Sequence, residues 1–250
     1  MNRRLKKQII YAIIILSLMT ILVVGLWFIF RPAPSCFDNK KNGQEEGIDC
    51  GGPCLPCEIV NLNLRVEKPR TIIYPDNTLD IITIIKNPSD KYGLRKFNYK
   101  FILKGDNNIK AELSGESFIM PLQTKYLTAV NIKKPDFNII SADIEINFDK
   151  KDWLIIDQNE TKIEMLNYEI KDNKLLAEII NNDTIPYNDL EINFLVYDIL
   201  GNIIGVLKTK IDYLEPLERR NISLTLPPIS QEINKIDILS YYNFFYQNEN

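Results

Sequence analysis

The longest uninterrupted apolar segment of the chain runs from residue 9 to residue 30 and contains no charged side chain. A helix over this segment is roughly 33 Å long, against a hydrocarbon core of about 30 Å. The segment is too long for the apolar region of a cleavable signal peptide and lacks its small-residue cleavage site. Only Ser17 and Thr20 interrupt it, whereas a buried core helix keeps a polar stripe. The pattern predicts an uncleaved signal anchor that crosses the lipid bilayer.

Beyond residue 58, apolar and polar residues alternate in short runs bounded by Pro, Gly, Asn and Asp, which is typical of β-strands. The side chains of Phe97, Tyr99, Phe101 and Leu103 share one face of their strand by this alternation, which predicts a core face. In the first half of this region the predicted strands span residues 61–66, 79–85, 97–103, 126–132 and 139–148.

The second half of this region repeats the first at an offset of 95 residues. Residues 118–125 align without gaps on residues 213–220, and at the same offset Asn87 aligns on Asn182 and Tyr92 on Tyr187. A unit of this length with several short strands suits an immunoglobulin-like sandwich. The predicted fold class is therefore all-β: two tandem immunoglobulin-like β-sandwiches, preceded by one transmembrane helix and a small cysteine-rich segment.

Charged residues around the apolar segment predict its orientation. Arg3, Arg4, Lys6 and Lys7 precede it and Arg31 follows it, so the N-terminus is expected in the cytoplasm and the C-terminal domains outside. The predicted organisation is a cytoplasmic tail (1–8), a transmembrane signal anchor (9–30), a proline spacer with the cysteine-rich motif (31–57), a first sandwich (58–150) and a second sandwich (151–250).

Composition excludes several function classes. The formal net charge is −3, and without the five basic residues around the apolar segment the rest of the chain carries −8. An acidic exterior argues against nucleic acid as a partner. The chain has no histidine, which excludes Ser-His-Asp and Cys-His nucleophiles and histidine-based zinc sites. It also lacks a phosphate-binding glycine loop and a Gly-x-Ser-x-Gly elbow. On these grounds the sequence predicts that the protein is not an enzyme.

All four cysteines, Cys36, Cys50, Cys54 and Cys57, lie in one segment with the spacing C-x13-C-x3-C-x2-C. The segment has few apolar side chains, so cross-links must hold its fold. Outside the cytoplasm we expect two disulfides, in any of three pairings. The alternatives are a zinc site made of all four thiolates and a redox pair formed by Cys54 and Cys57.

Four oxygen-bearing side chains stand between the first two cysteines: Asp38, Asn42, Glu45 and Asp49. Oxygen ligands at such close spacing suit a hard cation such as calcium, and the glycines of the segment permit the tight turns that would aim them inwards. These four residues are the candidate calcium ligands. The pattern suggests calcium as a cofactor but does not require one.

The cysteine-rich segment resembles a motif of prokaryotic and some animal extracellular proteins, C-x-D-G-x-x-N-x-x-E-x-x-x-D-C-G-G-x-C-x-x-C. The resemblance covers the four cysteines and the four candidate ligands, with Asn39 where the motif has glycine. Asparagine also tolerates the left-handed backbone that such a turn requires. The resemblance implies a small stalk or spacer and adds no reaction.

The second unit resembles the FxLYD type of immunoglobulin-like domain found in prokaryotic envelope and secreted proteins. The residues that carry the resemblance are Phe194 to Asp198, with Val196 in place of leucine, then Gly201-Asn202 and the Leu214 to Leu217 turn. The first unit has Leu103-Lys104-Gly105 where Tyr-Asp is expected, so its membership depends on the internal repeat. This resemblance implies binding or spacing.

Together these patterns predict a membrane-anchored protein with a structural or partner-binding role at the cell envelope. Its expected partners are the lipid bilayer, through residues 9–30, and an unknown envelope protein or glycan, with no nucleic acid. The alternative is an envelope redox or metal-dependent protein that uses Cys54 and Cys57.

Overall fold

The computed structural model describes residues 3–30, 35–106, 109–157 and 160–245. The chain forms two compact units, Met1–Cys57 and Glu58–Asn250. The predicted proline spacer at residues 31–34 lies outside the described residues.

The first unit contains a long helix, α1 (Arg3–Phe30), which confirms a helix over the predicted anchor and begins it earlier. Residues Lys7–Trp27 have a mean hydropathy of 2.8, and none of the segment is buried inside the protein. The hydroxyls of Ser17 and Thr20 donate to carbonyl oxygens of the preceding turn, both at 2.8 Å. Because these polar groups are satisfied within the helix, the Lys7–Trp27 part of α1 has the length and composition to span a membrane.

The second unit opens with a short helix, α2 (Cys57–Asn61), and is otherwise built of strands. The strands of the first sandwich are β1 (Arg65–Val66), β2 (Arg70–Ile73), β3 (Thr78–Lys86), β4 (Tyr92–Lys104), β5 (Lys110–Ile119), β6 (Thr124–Lys133), β7 (Ser141–Asn147) and β8 (Trp153–Ile155). Those of the second are β9 (Ile163–Lys171), β10 (Lys174–Asn181), β11 (Tyr187–Tyr197), β12 (Ile203–Leu214), β13 (Arg219–Thr225) and β14 (Lys235–Tyr241).

The two halves share one antiparallel topology. Strand β3 lies between β6 and an edge formed by β1 and β2, as β10 lies between β13 and β9. Strand β4 lies between β5 and β7, as β11 lies between β12 and β14. The same order of pairing in both halves confirms two tandem immunoglobulin-like sandwiches.

The predicted element limits need three corrections. Strands β2 and β5 were not predicted. The strand predicted at 61–66 overlaps the end of α2, and only its last two residues form a strand, β1. Strand β8 pairs with β4, and its Trp153 is buried in the core of the first sandwich. The first sandwich therefore extends past the predicted boundary between residues 150 and 151.

Equivalent turns mark the repeat in three dimensions. The turns at residues 120–123 and 215–218 each close with a backbone hydrogen bond from the fourth residue to the first, at 3.3 and 3.2 Å. Their third residues, Leu122 and Leu217, have positive φ angles of 54° and 61°. A proline followed by a residue with positive φ is the geometry of a type II turn, so both halves keep the same turn although neither has glycine there.

Each of these turns is held by a buried asparagine. The Asn87 amide donates to the carbonyl oxygens of Tyr92 and Met120, at 2.7 and 2.9 Å. In the second half the matching amide is that of Asn181, which donates to the carbonyls of Ile185, Leu214 and Glu215. Asn87 therefore corresponds to Asn181 and not to Asn182, because the offset changes by one residue between the strand and the turn.

Each sandwich has its own core. Phe97, Phe101 and Leu103 are buried in the first core with Tyr99 packed against them, which confirms the predicted core face. In the second core Tyr242 packs on Tyr187 with a ring separation of 5.0 Å, and on Phe244 at 4.9 Å. The described aromatic residues near the C-terminus therefore stabilise the second sandwich from within.

The two sandwiches also bury a face of each other. Ile82 of β3 is buried together with Leu195 of β11 and Val206 of β12. Neighbouring residues of a strand point to opposite faces. In β3 and β11 one alternate set of side chains therefore packs in the core of its own sandwich, and the other set packs against the other sandwich. The Glu58–Asn250 unit is thus a stack of four sheets, and its two middle sheets have little solvent-facing surface.

Candidate functional site

Two disulfides hold the cysteine-rich segment. Cys36 pairs with Cys54 and Cys50 with Cys57, with Cα–Cα distances of 5.6 and 4.8 Å, and the described chain has no free cysteine. Cys54 and Cys57 belong to different bridges, so no thiol is left for the alternative zinc or redox chemistry. Disulfides persist in oxidising compartments, which indicates an extracellular setting for this segment.

The acidic side chains of the segment accept hydrogen bonds from its own amides. Asp49 accepts from the backbone N–H groups of Asp38 and Asn39, at 3.0 and 2.9 Å. Asp38 accepts from the Asn42 amide at 2.9 Å, and this hydrogen bond holds the pKa of the Asp38 carboxyl below its usual range. Glu45 accepts from the backbone N–H of Asn42 at 3.1 Å. The carboxylates thus satisfy amides that a segment this small cannot pair in strands.

The four predicted calcium ligands lie in one loop, but the structure does not gather their carboxylates into one group. Among the described residues, the cluster close enough to hold an ion is Cys36, Glu45 and Cys54, with ligand atoms within 4.8 Å of one another. The two sulfur atoms of this cluster form a disulfide, and a metal requires thiolates. Calcium binding at Asp38, Asn42, Glu45 and Asp49 stays a prediction.

A second polar site lies where the two sandwiches meet. Asp80 of β3 is 1% exposed, and its carboxylate accepts from the Tyr74 hydroxyl at 2.5 Å and from the Asn131 N–H at 2.9 Å. It also accepts from the N–H of Val206 in the second sandwich at 3.1 Å. Burial raises the pKa of Asp80, although these three hydrogen bonds favour the ionised form. One carboxylate therefore ties the two sandwiches together through the backbone of β12.

A second cluster of polar side chains at this interface contains Lys125, Glu191 and Asn193. Lys125 and Asn193 are both 0% exposed. Glu191 contacts Lys125 at 3.7 Å and Lys208 at 3.1 Å. Burial lowers the pKa of Lys125 to about 8. Burial also raises the pKa of Glu191, but the two lysine charges, together with hydrogen bonds from Lys208 and Asn193, outweigh it and leave the net shift downward. The cluster therefore holds one half-buried carboxylate between two cations.

A cleft of about 670 Å³ opens beside this cluster, and both sandwiches contribute to its walls. Glu191 and Lys208 lie in it, and the surrounding charges are paired within the protein: Lys210 with Asp189 at 2.8 Å, and Arg95 with Asp152 at 3.3 Å. A volume of this size is typical of small-molecule and short-segment binding sites. The cleft is the candidate binding surface of the β unit.

Sequence reasoning missed these interface residues. Lys125 aligns in the repeat with Arg220, which forms an ion pair with Glu218 at the surface of the second sandwich. Glu191 and Asn193 read as the solvent side of a half-buried strand. The missed signal is the nearly continuous apolar character of residues 79–85 and 190–197, because such runs are typical of strands that are buried on both faces.

No family model matches the chain, and no curated protein matches it. Among solved structures, one similarity is to the crystal structure of red sea bream transglutaminase, at 10% sequence identity and a TM-score of 0.22. The match covers 73% of this chain and 29% of the transglutaminase, so the chain spans less than a third of that protein.

The prediction that the chain is not an enzyme is corrected by this finding, because the matched protein is itself an enzyme. At this identity and TM-score the match assigns neither an activity nor a reaction to the present chain.

Proposed function

We propose that this chain is a single-span envelope protein that presents its β unit outside the cell, where it has a structural or partner-binding role. The observation that carries the proposal is the position of two disulfides directly after the apolar helix. A segment that is cross-linked in this way belongs in an oxidising compartment. The basic residues before the helix support a cytoplasmic N-terminus.

The cleft between the sandwiches is the proposed binding surface. Its charged side chains are paired with one another. A partner must therefore match a surface where positive and negative charges alternate, not a surface of a single charge. This favours a polar partner, either a segment of another envelope protein or a glycan. The resemblances to FxLYD domains and to the cysteine-rich extracellular motif agree with such a role and belong to the same proposal.

Orientation is tested with protease added to intact cells or spheroplasts. We expect degradation of the chain beyond residue 31, while a tag placed before residue 3 stays protected until the membrane is permeabilised. A tag that is digested in intact cells, with the β unit protected, would reverse the orientation.

Binding is tested by placing a photoreactive residue in the cleft of the full-length protein in native membranes. Asn188 is exposed and lies in the cleft, whereas Glu169 is exposed on β9 outside it and serves as the matched control. We expect a cross-linked product from position 188 only. Equal products from both positions, or none from position 188, would contradict binding in the cleft.

A further inference from the structure

Lys125 is buried beside two aromatic rings and a carboxylate, and its amine lacks a hydrogen-bond partner among the described residues. Its Nζ is 3.7 Å from the centre of the Phe118 ring and 4.8 Å from that of the Tyr241 ring. Its nearest carboxylate atom is Glu191 Oε2, at 3.7 Å, and it has no hydrogen-bond partner within the described part of the chain. A buried amine in this state is rare enough to require an explanation.

Asn193 is the second unsatisfied group. Its Oδ1 is buried and accepts no hydrogen bond from any described residue. Its Nδ2 lies 3.5 Å from Glu191 Oε1 and 3.4 Å from the Tyr126 carbonyl oxygen, which are long contacts for hydrogen bonds. Asn87 and Asn181 are also buried, but their amides are bonded on both the nitrogen and the oxygen. Asn193 therefore departs from the other two buried asparagines of the repeat.

One carboxylate lies between these two groups. Glu191 and Asn193 are two residues apart on β11, so their side chains share the face of that strand that meets the first sandwich. Lys125 approaches the same face from β6. Glu191 Oε2 lies 3.7 Å from the amine, and Glu191 Oε1 lies 3.5 Å from the carboxamide nitrogen. A lysine of one sandwich and an asparagine of the other thus face the same base.

We propose that Lys125 and Asn193 form an intramolecular isopeptide bond that joins the two sandwiches covalently, with Glu191 as the proton-transfer group. Glu191 takes a proton from the Lys125 ammonium, and the neutral Nζ attacks Cγ of Asn193. The new Nζ–Cγ bond forms and the Cγ–Nδ2 bond breaks. Nδ2 leaves as ammonia after it receives a proton through Glu191, and the reaction needs no oxidant or reductant. The product replaces the two unsatisfied groups by one secondary amide.

The surroundings favour the nucleophile and the release of ammonia. Burial lowers the pKa of Lys125 to about 8, so about a tenth of the amine is neutral at pH 7, and desolvation is a recognised way to activate a lysine nucleophile. The Phe118 and Tyr241 rings keep water from the amine. Glu191 also lies in the cleft, which gives ammonia a route out. Two groups held on one carboxylate react with a high effective concentration.

The test is the intact mass of the full-length protein, purified in detergent and reduced so that disulfides do not contribute. We expect a mass about 17 Da below the sequence mass, equal to one ammonia. Peptide sequencing should find a branched peptide that links residues 125 and 193. A wild-type mass equal to the sequence mass, or a branch at Asn87 or Asn181, would overturn the proposal.

Two variants separate this bond from other losses of ammonia. An asparagine can also lose ammonia by cyclising on its own backbone, and Lys125→Arg removes the nucleophile but not that reaction. Both Lys125→Arg and Glu191→Gln should have the full sequence mass. If Lys125→Arg keeps the deficit, the bond is not present.

A cleavage assay gives a second readout that does not depend on the stability of a variant. A specific protease site is inserted after Asp157, in the connection between the sandwiches. After cleavage and denaturation, the two halves of the wild-type protein should migrate together on a reducing gel and those of Lys125→Arg should separate. Separation of the wild-type halves would refute the covalent link.

Discussion

Replacing Asp80 tests whether the interface between the sandwiches stabilises the whole β unit. The Asp80→Ala variant removes the acceptor of three buried donors: the Tyr74 hydroxyl and the N–H groups of Asn131 and Val206. The Val206 donor belongs to the other sandwich. The variant therefore weakens the first sandwich and its contact with the second at the same time.

The magnitude follows from these three donors. A buried donor left without an acceptor costs about 1–3 kcal/mol, and removing a buried charge offsets part of the total. We therefore expect Asp80→Ala to lower the free energy of unfolding by about 3 kcal/mol, which for a unit of this size lowers Tm by about 6–12 °C. Asp80→Asn keeps one acceptor oxygen and should lose about 1 kcal/mol.

The assay is thermal unfolding of the full-length protein in detergent, followed by near-ultraviolet circular dichroism. The matched control is Asp198→Ala, because the Asp198 carboxylate also accepts from two backbone N–H groups, those of Leu200 and Asn202, but is exposed at a hairpin. Water replaces an exposed acceptor, so this variant should lose less than about 1 kcal/mol. Equal shifts of Tm for the two alanine variants would refute the reasoning.

The same carboxyl group predicts a pH dependence. Burial raises the pKa of Asp80, so the native state binds this proton more tightly than the unfolded state does. The stability that this proton contributes is present at low pH and is lost as the pH rises through the raised pKa. Asp80→Asn has no such proton, so the stability advantage of the wild type over it should grow as the pH falls. A constant or shrinking difference in the free energy of unfolding would contradict this sign.

Three further predictions concern other sites. Asn181→Ala should lower the free energy of unfolding in denaturant by about 2–4 kcal/mol, because the Asn181 amide donates to three carbonyl oxygens. Replacing its exposed neighbour, Asn182→Ala, should change that free energy by less than about 0.5 kcal/mol. Equal losses would refute the assignment of Asn181 to the turn. Calcium at about 10⁻⁴ to 10⁻³ M should shift amide NMR signals of residues 38–49 in an oxidised 32–58 peptide, and unchanged signals would exclude the site. Burial raises the pKa of Tyr74 and Tyr241, so the stability they contribute is complete below about pH 10 and is lost at higher pH, where phenolate absorbance should appear together with unfolding. A phenolate of Tyr74 or Tyr241 that forms in the folded protein at about pH 10 would contradict this prediction.

Local pattern was sufficient for much of the architecture. The apolar run at 9–30 predicts α1 because a helix in lipid needs only length and hydrophobicity. Alternation predicts strands such as β4, and the repeated Pro-Leu turns predict two units of one topology, since such turns depend on a few adjacent residues. The β2 and β5 strands were missed because their alternation is short or mostly polar, and pairing with a neighbour decides them instead.

In the cysteine-rich segment, too, some features follow from the sequence and others do not. Its composition predicts cross-links, because so few apolar side chains cannot hold a fold. The pairing of Cys36 with Cys54 and of Cys50 with Cys57 depends on how the loop closes. The orientation of Asp38 and Asp49 towards backbone amides also depends on it, and sequence spacing does not contain that information.

The sequence by itself determined most of the elements, the repeat and the core face of β4, because these depend on residues near in the chain or on the period of one strand. Only the tertiary structure decided which outer sheet faces of the two sandwiches pack against each other. Asp80, Lys125 and Asn193 read as ordinary surface polar residues until the second sandwich covers them, and burial is what changes their hydrogen bonding and proton affinity. A charge or amide has its chemistry set by what excludes water from it, and in this protein that is a sheet many residues away in the chain.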